Sequence, residues 1–135
     1  ERGGIRLLPE HLLYALLVTA PNSATDLLAR LEIAVESLRD ALLPHLQGAG
    51  FVAEQGIRPS EAFRRVNDRA HAAMRDLGDR ALDSRHLLLG IAAESEGTAA
   101  RLLADHGASY EVLRAACESR GRLAAIRRWF GGRRS

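Results

Sequence analysis

The side chains that could do chemistry here are few in kind, and their types narrow the options before any fold is considered. All 19 basic residues are arginine. Without a lysine there is no Walker A phosphate grip, no Schiff base and no lysine general base, so a P-loop ATPase within these 135 residues is all but excluded. Cys117 is the single cysteine. It allows no internal disulfide and no Cys-rich metal site, and it suits a reducing cytoplasm. With neither a base nor an electropositive neighbourhood in view it reads as a small buried hydrophobe. His11, His45, His71, His86 and His106 form no H-E-x-x-H pattern and no Cys/His cluster, so no metal site is expected. Gly48, Gly50 and Gly56 follow no strand pattern, no Ser/His/Asp order stands out, and we assign no catalytic residue and no cofactor.

Two features remain that could contact a ligand. Glu10 lies in the first turn of an expected helix, where exposed N–H groups and the helix dipole favour a carboxylate by about 0.3–1 kcal/mol. That benefit accounts for it without a ligand. The second feature is the tail. Residues 1–118 carry 13 Arg against 17 acids, and residues 119–135 carry 6 Arg and no acid, so an overall charge of +2 hides an acidic body and a basic end. In the tail Leu123, Ile126 and Phe130 with Trp129 can share one face of a short helix, with Arg122, Arg127 and Arg128 off it. Such a segment can rest on an anionic membrane or on phosphates, or it can pack its apolar face on the body and leave its arginines in water. The second arrangement is the expected one. Gly131 to Ser135 reads as a frayed end and suggests that no ATPase module follows.

The elements that must hold these residues are helical. Apolar residues make up 47% of the chain and aromatics only 4%, and Leu and Ala dominate every periodic stretch. The longest nearly apolar run, Leu12 to Ala20, is under half of the roughly 20 residues that cross a bilayer, so a soluble chain is expected.

Sliding the sequence on itself by 75 places lays Glu10-His11-Leu12-Leu13 on Arg85-His86-Leu87-Leu88. Without a gap, Ala24, Leu27, Leu28 and Ala29 then meet Ala99, Leu102, Leu103 and Ala104. Glu36, Leu38, Arg39 and Ala41 meet Glu111, Leu113, Arg114 and Ala116. The chain is therefore read as a duplicated helical unit: residues 1–46, a Gly-rich linker over 47–59, residues 60–118, and the tail. In the second unit Ser60 caps a helix that Gly78 stops, Asp83 or Ser84 caps the next, Gly97-Thr98 opens a third and Ser109 caps a fourth. The first unit shows three helices, near 9–19, 23–31 and 34–46, with Ser23 and Asp26 resembling a capping box. Gly3 takes the place of Gly78, so a helix equivalent to the one over 60–77 is lacking. The leucines this would expose are expected to be covered by upstream residues, by the tail, or by a second copy in a homodimer.

Pro9-Glu10-His11-Leu12-Leu13, Ser84-Arg85-His86-Leu87-Leu88-Leu89-Gly90 and Glu96-Gly97-Thr98-Ala99-Ala100-Arg101-Leu102-Leu103 together resemble the duplicated N-terminal domain of the Clp unfoldases. The resemblance spans roughly residues 3–117. It implies an all-α fold of two pseudo-symmetric four-helix repeats, the first lacking its first helix, followed by a basic C-terminal helix. It also implies a non-catalytic module that docks substrate or adaptor proteins for the Clp ATPase and protease. In some ClpC-type members the Glu of each Thr-Glu-His motif holds the guanidinium of a phosphorylated arginine, and Glu10 is the one position here that keeps it. Arg85 reverses the charge and Pro9 removes a hydroxyl, so at most one such site is expected. The competing reading is a small nucleic-acid- or membrane-surface binder that acts through the tail.

Overall fold

The computed structural model describes residues 5–46, 57–94 and 97–118. The tail reading and most of the linker reading therefore lie outside the described residues. The order of elements is β1 (Ile5–Leu7), α1 (Pro9–Val18), α2 (Ser23–Arg30), α3 (Val35–Leu42), one 3₁₀ turn (Leu43–His45), β2 (Ile57–Pro59), α4 (Glu61–Asp76), α5 (Ser84–Ala92) and α6 (Thr98–Asp105). Residues 110–118 are helical. The fold is all-α in class, as the composition demands. One detail departs from an entirely helical chain: β1 and β2 pair in parallel, Ile5 with Ile57 and Leu7 with Pro59. The last three residues of the expected linker are thus strand. Their Ile-Arg-Pro sequence stands beside the equally short Ile-Arg-Leu, too brief for a period-2 signal to register.

The helices keep the 75-residue spacing. α2 and α6 are offset by that number at both ends, and α1 and α5 at their first residues. The loops repeat as well. After α2, Glu32 N–H donates to the Ala29 carbonyl and Ile33 N–H to that of Leu28; after α6, Gly107 and Ala108 do the same to Ala104 and Leu103. This stop needs a left-handed residue, and φ is 61° at Glu32 and 93° at Gly107. Glycine takes that conformation freely, whereas Glu32 holds it at a cost of about 1–2 kcal/mol.

Helical spacing in the two units places Leu12, Leu13, Leu16, Leu27, Leu28, Leu38, Leu87, Leu88, Ile91, Leu102, Leu103 and Leu113 inside, and the core between the helices is built from Leu13, Leu16, Leu27, Leu28, Leu38, Leu88, Ile91, Leu103 and Leu113. Leu12, Leu87 and Leu102, also expected inside, are half-buried and pack on its edge. Cys117 is buried among them, and burial raises its thiol pKa above the ordinary range.

α4 packs chiefly on α5. Ser60 caps it as expected, its hydroxyl accepting from Phe63 N–H at 3.0 Å. The crossing is close because Gly90 has no side chain: a Cβ there would stand 2.5 Å from the Val66 carbonyl oxygen. At the end of α5 the nearly buried Glu94 carboxylate receives both Nε and Nη2 of Arg65, at 3.0 and 3.1 Å, and Nη1 of Arg69 at 2.8 Å. That clamp fixes the pitch of α4 against α5.

Candidate binding site at the helix N-termini

Four helices meet through their first turns, in two pairs: α2 faces α5, and α1 faces α6. A first turn carries N–H groups with no partner inside its own helix, so each pair must supply acceptors to the other.

At the α2/α5 junction the hydroxyls of Ser23 and Ser84 lie 2.7 Å apart. Ser84 Oγ accepts from Ala24 N–H of α2 at 2.9 Å, and Ser23 Oγ accepts from Arg85 N–H of α5 at 3.1 Å. Each serine caps the other helix. The N-cap of α2 is Asn22 rather than Ser23: its side-chain oxygen accepts from Thr25 N–H, and Thr25 Oγ1 accepts from Asn22 N–H, both at 2.9 Å. The expected Ser23/Asp26 capping box is thus one residue out of register, because Ser23 is engaged across the junction.

Asp83 caps α5 through Arg85 N–H at 2.9 Å. Arg85 turns back onto acids of its own loop, reaching Asp79 at 2.9 Å and Asp83 at 3.3 Å. Burial is the largest single influence on Asp83 and opposes its charge. The hydrogen bonds and charge of Arg85, with help from Ser23, outweigh it and hold the carboxyl below the usual range. Arg85 answers in kind: burial works against the guanidinium, but Asp83 and Asp79 hold it more firmly charged. The charge reversal seen in the sequence is therefore neutralised locally.

At the α1/α6 junction the residue in the place of Ser84 is Pro9, which has no hydroxyl to offer Ala99 N–H. Glu10 takes over that work, with a carboxylate oxygen accepting from Ala99 N–H at 3.2 Å. Glu10 is only 7% exposed. The helix it serves is α6, not its own, which the local dipole argument did not anticipate. Nothing in a single helix pattern signals a contact 89 residues away; the Pro9/Ser84 mismatch in the repeat is the one clue.

The two repeat histidines do share a structural task. His11 Nδ1 accepts from Leu8 N–H, and His86 Nδ1 from Asp83 N–H, each at 2.9 Å. A ring nitrogen that accepts is unprotonated, so in the neutral ring the proton sits on Nε2. His86 donates this Nε2–H to Asp79 Oδ2 at 2.7 Å. The Nε2 of His11 is shut from solvent and has no hydrogen-bond partner among the described residues. His71 and His106 each bond the carbonyl four residues earlier in their own helices, and His45 is exposed on the 3₁₀ turn. Among the described residues no group of three or more His, Cys, Asp or Glu is placed to hold a metal ion. No single described helix is long and apolar enough to cross a membrane.

A sequence profile of the Clp repeat (R) N-terminal domain matches residues 2–106. The chain belongs to that family. Solved structures similar to this Clp repeat domain include two N-terminal domains. One is the N-terminal domain (1-163) of ClpV1 ATPase from E. coli EAEC Sci1 T6SS, at 19% identity and a TM-score of 0.66 over 84% of this chain and 71% of that one. The other is the Hsp104 N-terminal domain from Candida albicans, at 20% identity and a TM-score of 0.67 over 85% of this chain and 75% of that one. At such identities the likeness establishes the fold. It does not carry ligand residues across, and the tail residues Arg122, Arg127, Arg128, Trp129 and Phe130 lie outside the described part of this Clp repeat domain.

Proposed function

We propose that this chain is a protein-docking module of the Clp unfoldase and protease system, receiving substrates or adaptors without catalysis of its own. The observation that carries this reading is the family match over residues 2–106. The paired helix N-termini support it, since they bring polar side chains and helix ends together from both halves of the chain. A pull-down with the immobilised chain, read by mass spectrometry, tests the reading. Recovery of a Clp ATPase, its protease or an adaptor, retained when residues 119–135 are deleted, is the expected result. Recovery of none of these, with DNA or liposome binding that disappears with the tail, defeats it in favour of the tail-driven alternative.

At residue level we propose that Glu10 is the only arginine-reading carboxylate the chain retains, and a weak one. A guanidinium competes with Ala99 N–H for the Glu10 carboxylate, and Pro9 offers no hydroxyl where its repeat counterpart Ser84 has one. Calorimetric titration with free phosphoarginine should give weak binding at one site, lost in Glu10→Gln. Two sites of similar affinity would show that Arg85 is no obstacle.

A further inference from the structure

Of the five histidines, His86 alone is buried, and it is 0% exposed. Its two nitrogens face unlike partners. Nδ1 accepts from Asp83 N–H at 2.9 Å and Nε2–H donates to Asp79 Oδ2 at 2.7 Å, an arrangement open only to the neutral ring. A second acidic oxygen stands close, since Asp83 Oδ1 lies 3.5 Å from Nδ1. That oxygen is already the tie between α5 and α2. It accepts from Arg85 N–H at 2.9 Å and from the Ser23 hydroxyl at 3.1 Å.

A proton added at Nδ1 turns that nitrogen from acceptor into donor. It then opposes the Asp83 N–H it used to receive, and the acidic oxygen nearest to it is Asp83 Oδ1. To come from 3.5 Å to hydrogen-bond distance, the carboxylate has to turn away from Ser23 and from Arg85 N–H. The other charges at the ring are Asp79 on Nε2 and Arg85, which reaches the same Asp79 oxygen at 2.9 Å. Cys117, in the helical residues 110–118, lies within electrostatic reach of Asp79, Asp83, Arg85 and Arg30 of α2. α4 brings charge to the far end of α5, where Arg65 and Arg69 hold Glu94, and among the described residues α1 and α6 place no acid in ion-pair contact with the ring. The first half has no such arrangement, because Leu8 stands at the register of Asp83.

We propose that the α2/α5 junction is a proton-operated latch: one proton taken up at His86 Nδ1 draws the Asp83 carboxylate off Ser23 and Arg85 N–H and loosens α2 from α5. The closed latch holds no proton on Nδ1 and the open one does, so falling pH favours the open form. Asp83 is fitted for its part. Burial opposes its charge, but the bonds and charge of Arg85 outweigh burial and hold the carboxyl below the usual range. It is therefore still a carboxylate in the interval around pH 6–7 where histidines ordinarily titrate, and its own protonation is a separate, lower step. The latch lies at the junction away from Glu10 and does not rest on the docking proposal.

The test is NMR on the whole chain with nitrogen-15 in its histidine rings and amides, titrated between about pH 8 and pH 5, above the range in which Asp83 titrates. The ring nitrogens of His86 report the proton. Hydrogen exchange at the Arg85 and Ala24 amides, corrected for the intrinsic effect of pH, reports the junction. Both are expected to change with one midpoint, and exchange at Arg85 should rise about tenfold, the value of one ordinary hydrogen bond. The Phe63 amide, capped by the Ser60 hydroxyl, has no titrating partner and should stay level. Ser23→Ala removes one of the bonds that the proton has to break, so it should move the shared midpoint to higher pH. The proposal is overturned if the ring stays neutral down to pH 5, if it gains a proton while the Arg85 and Ala24 amides stay protected, or if Ser23→Ala leaves the midpoint where it was.

Discussion

Adding one methyl group at Gly90 should destabilise the protein, against the ordinary preference of helices. Gly90 lies inside α5, where alanine is favoured over glycine by about 1 kcal/mol. The close crossing reverses the sign. An alanine Cβ would stand 2.5 Å from the Val66 carbonyl oxygen, 3.2 Å from Ala70 N and 3.3 Å from the Val66 carbonyl carbon. All three atoms are helix backbone, so no side chain can swing away, and α4 must retreat bodily by somewhat under 1 Å. That retreat stretches the Glu94 bonds to Arg65 and Arg69, which now lie at 2.8–3.1 Å. Overpacking of this sort costs about 1–3 kcal/mol, and glutamate bonds weakened alongside it add to the loss. Subtracting the propensity gain leaves Gly90→Ala less stable by about 1–2 kcal/mol, or roughly 3–8 °C in Tm. Urea titration followed by circular dichroism measures it, and an unchanged m-value would show that the unfolded state is not the source. The paired control is Ala15→Gly, the same exchange reversed at the exposed counterpart. It should cost only the propensity term of about 0.5–1 kcal/mol. Gly90→Ala as stable as the parent, or more so, would refute the backbone-contact reasoning.

Two further outcomes are expected. Asp83 has its folded pKa depressed, so its contribution is fully present above the unfolded carboxylate pKa and is lost as pH falls through the lower folded value. Asp83→Asn, which keeps a capping oxygen, should therefore flatten the acid limb of a stability profile taken from pH 6 down to pH 2, with little change of helix content; an unaltered limb would show that Arg85 does not act through that charge. Glu32→Gly should raise stability by about 0.5–1 kcal/mol, since it relieves left-handed strain and pays back part of that in chain entropy; thermal melts check it, and a loss would mean that the Glu32 side chain holds the turn in a way its backbone does not reveal.

The helices were legible because their signals are local and repeated. Leu-Leu pairs at helical spacing, Ser60 and Asp83 at the starts, and Gly78 and Gly107 at the stops each state a requirement of one element, and the 75-residue offset states it twice. What sequence reading missed depends on pairs of elements. Ser23 looks like a cap for its own helix and serves α5. Glu10 looks like a complement to its own dipole and serves α6. Gly90, noted in the sequence only as the end of the Ser84–Gly90 motif, is where α4 crosses. The parallel pairing of Ile5 to Leu7 with Ile57 to Pro59 joins segments about fifty residues apart, and neither is long enough to declare itself.

The repeat also shows how far a position can drift while its obligation stays. Ala24 N–H and Ala99 N–H occupy the same place in α2 and α6, and neither finds an acceptor in its own helix. The fold fixes that need; the residue meeting it is free to change. Where Ser84 supplies a hydroxyl, the next position is released, and it holds Arg85 paired with loop acids. Where Pro9 supplies none, the next position must meet the need itself, and Glu10 is drawn inward. The opposite charges at 10 and 85 thus follow from a difference one residue upstream. A ligand that wants the Glu10 carboxylate competes with the first turn of α6, and restoring a hydroxyl by Pro9→Ser would free the carboxylate without touching it.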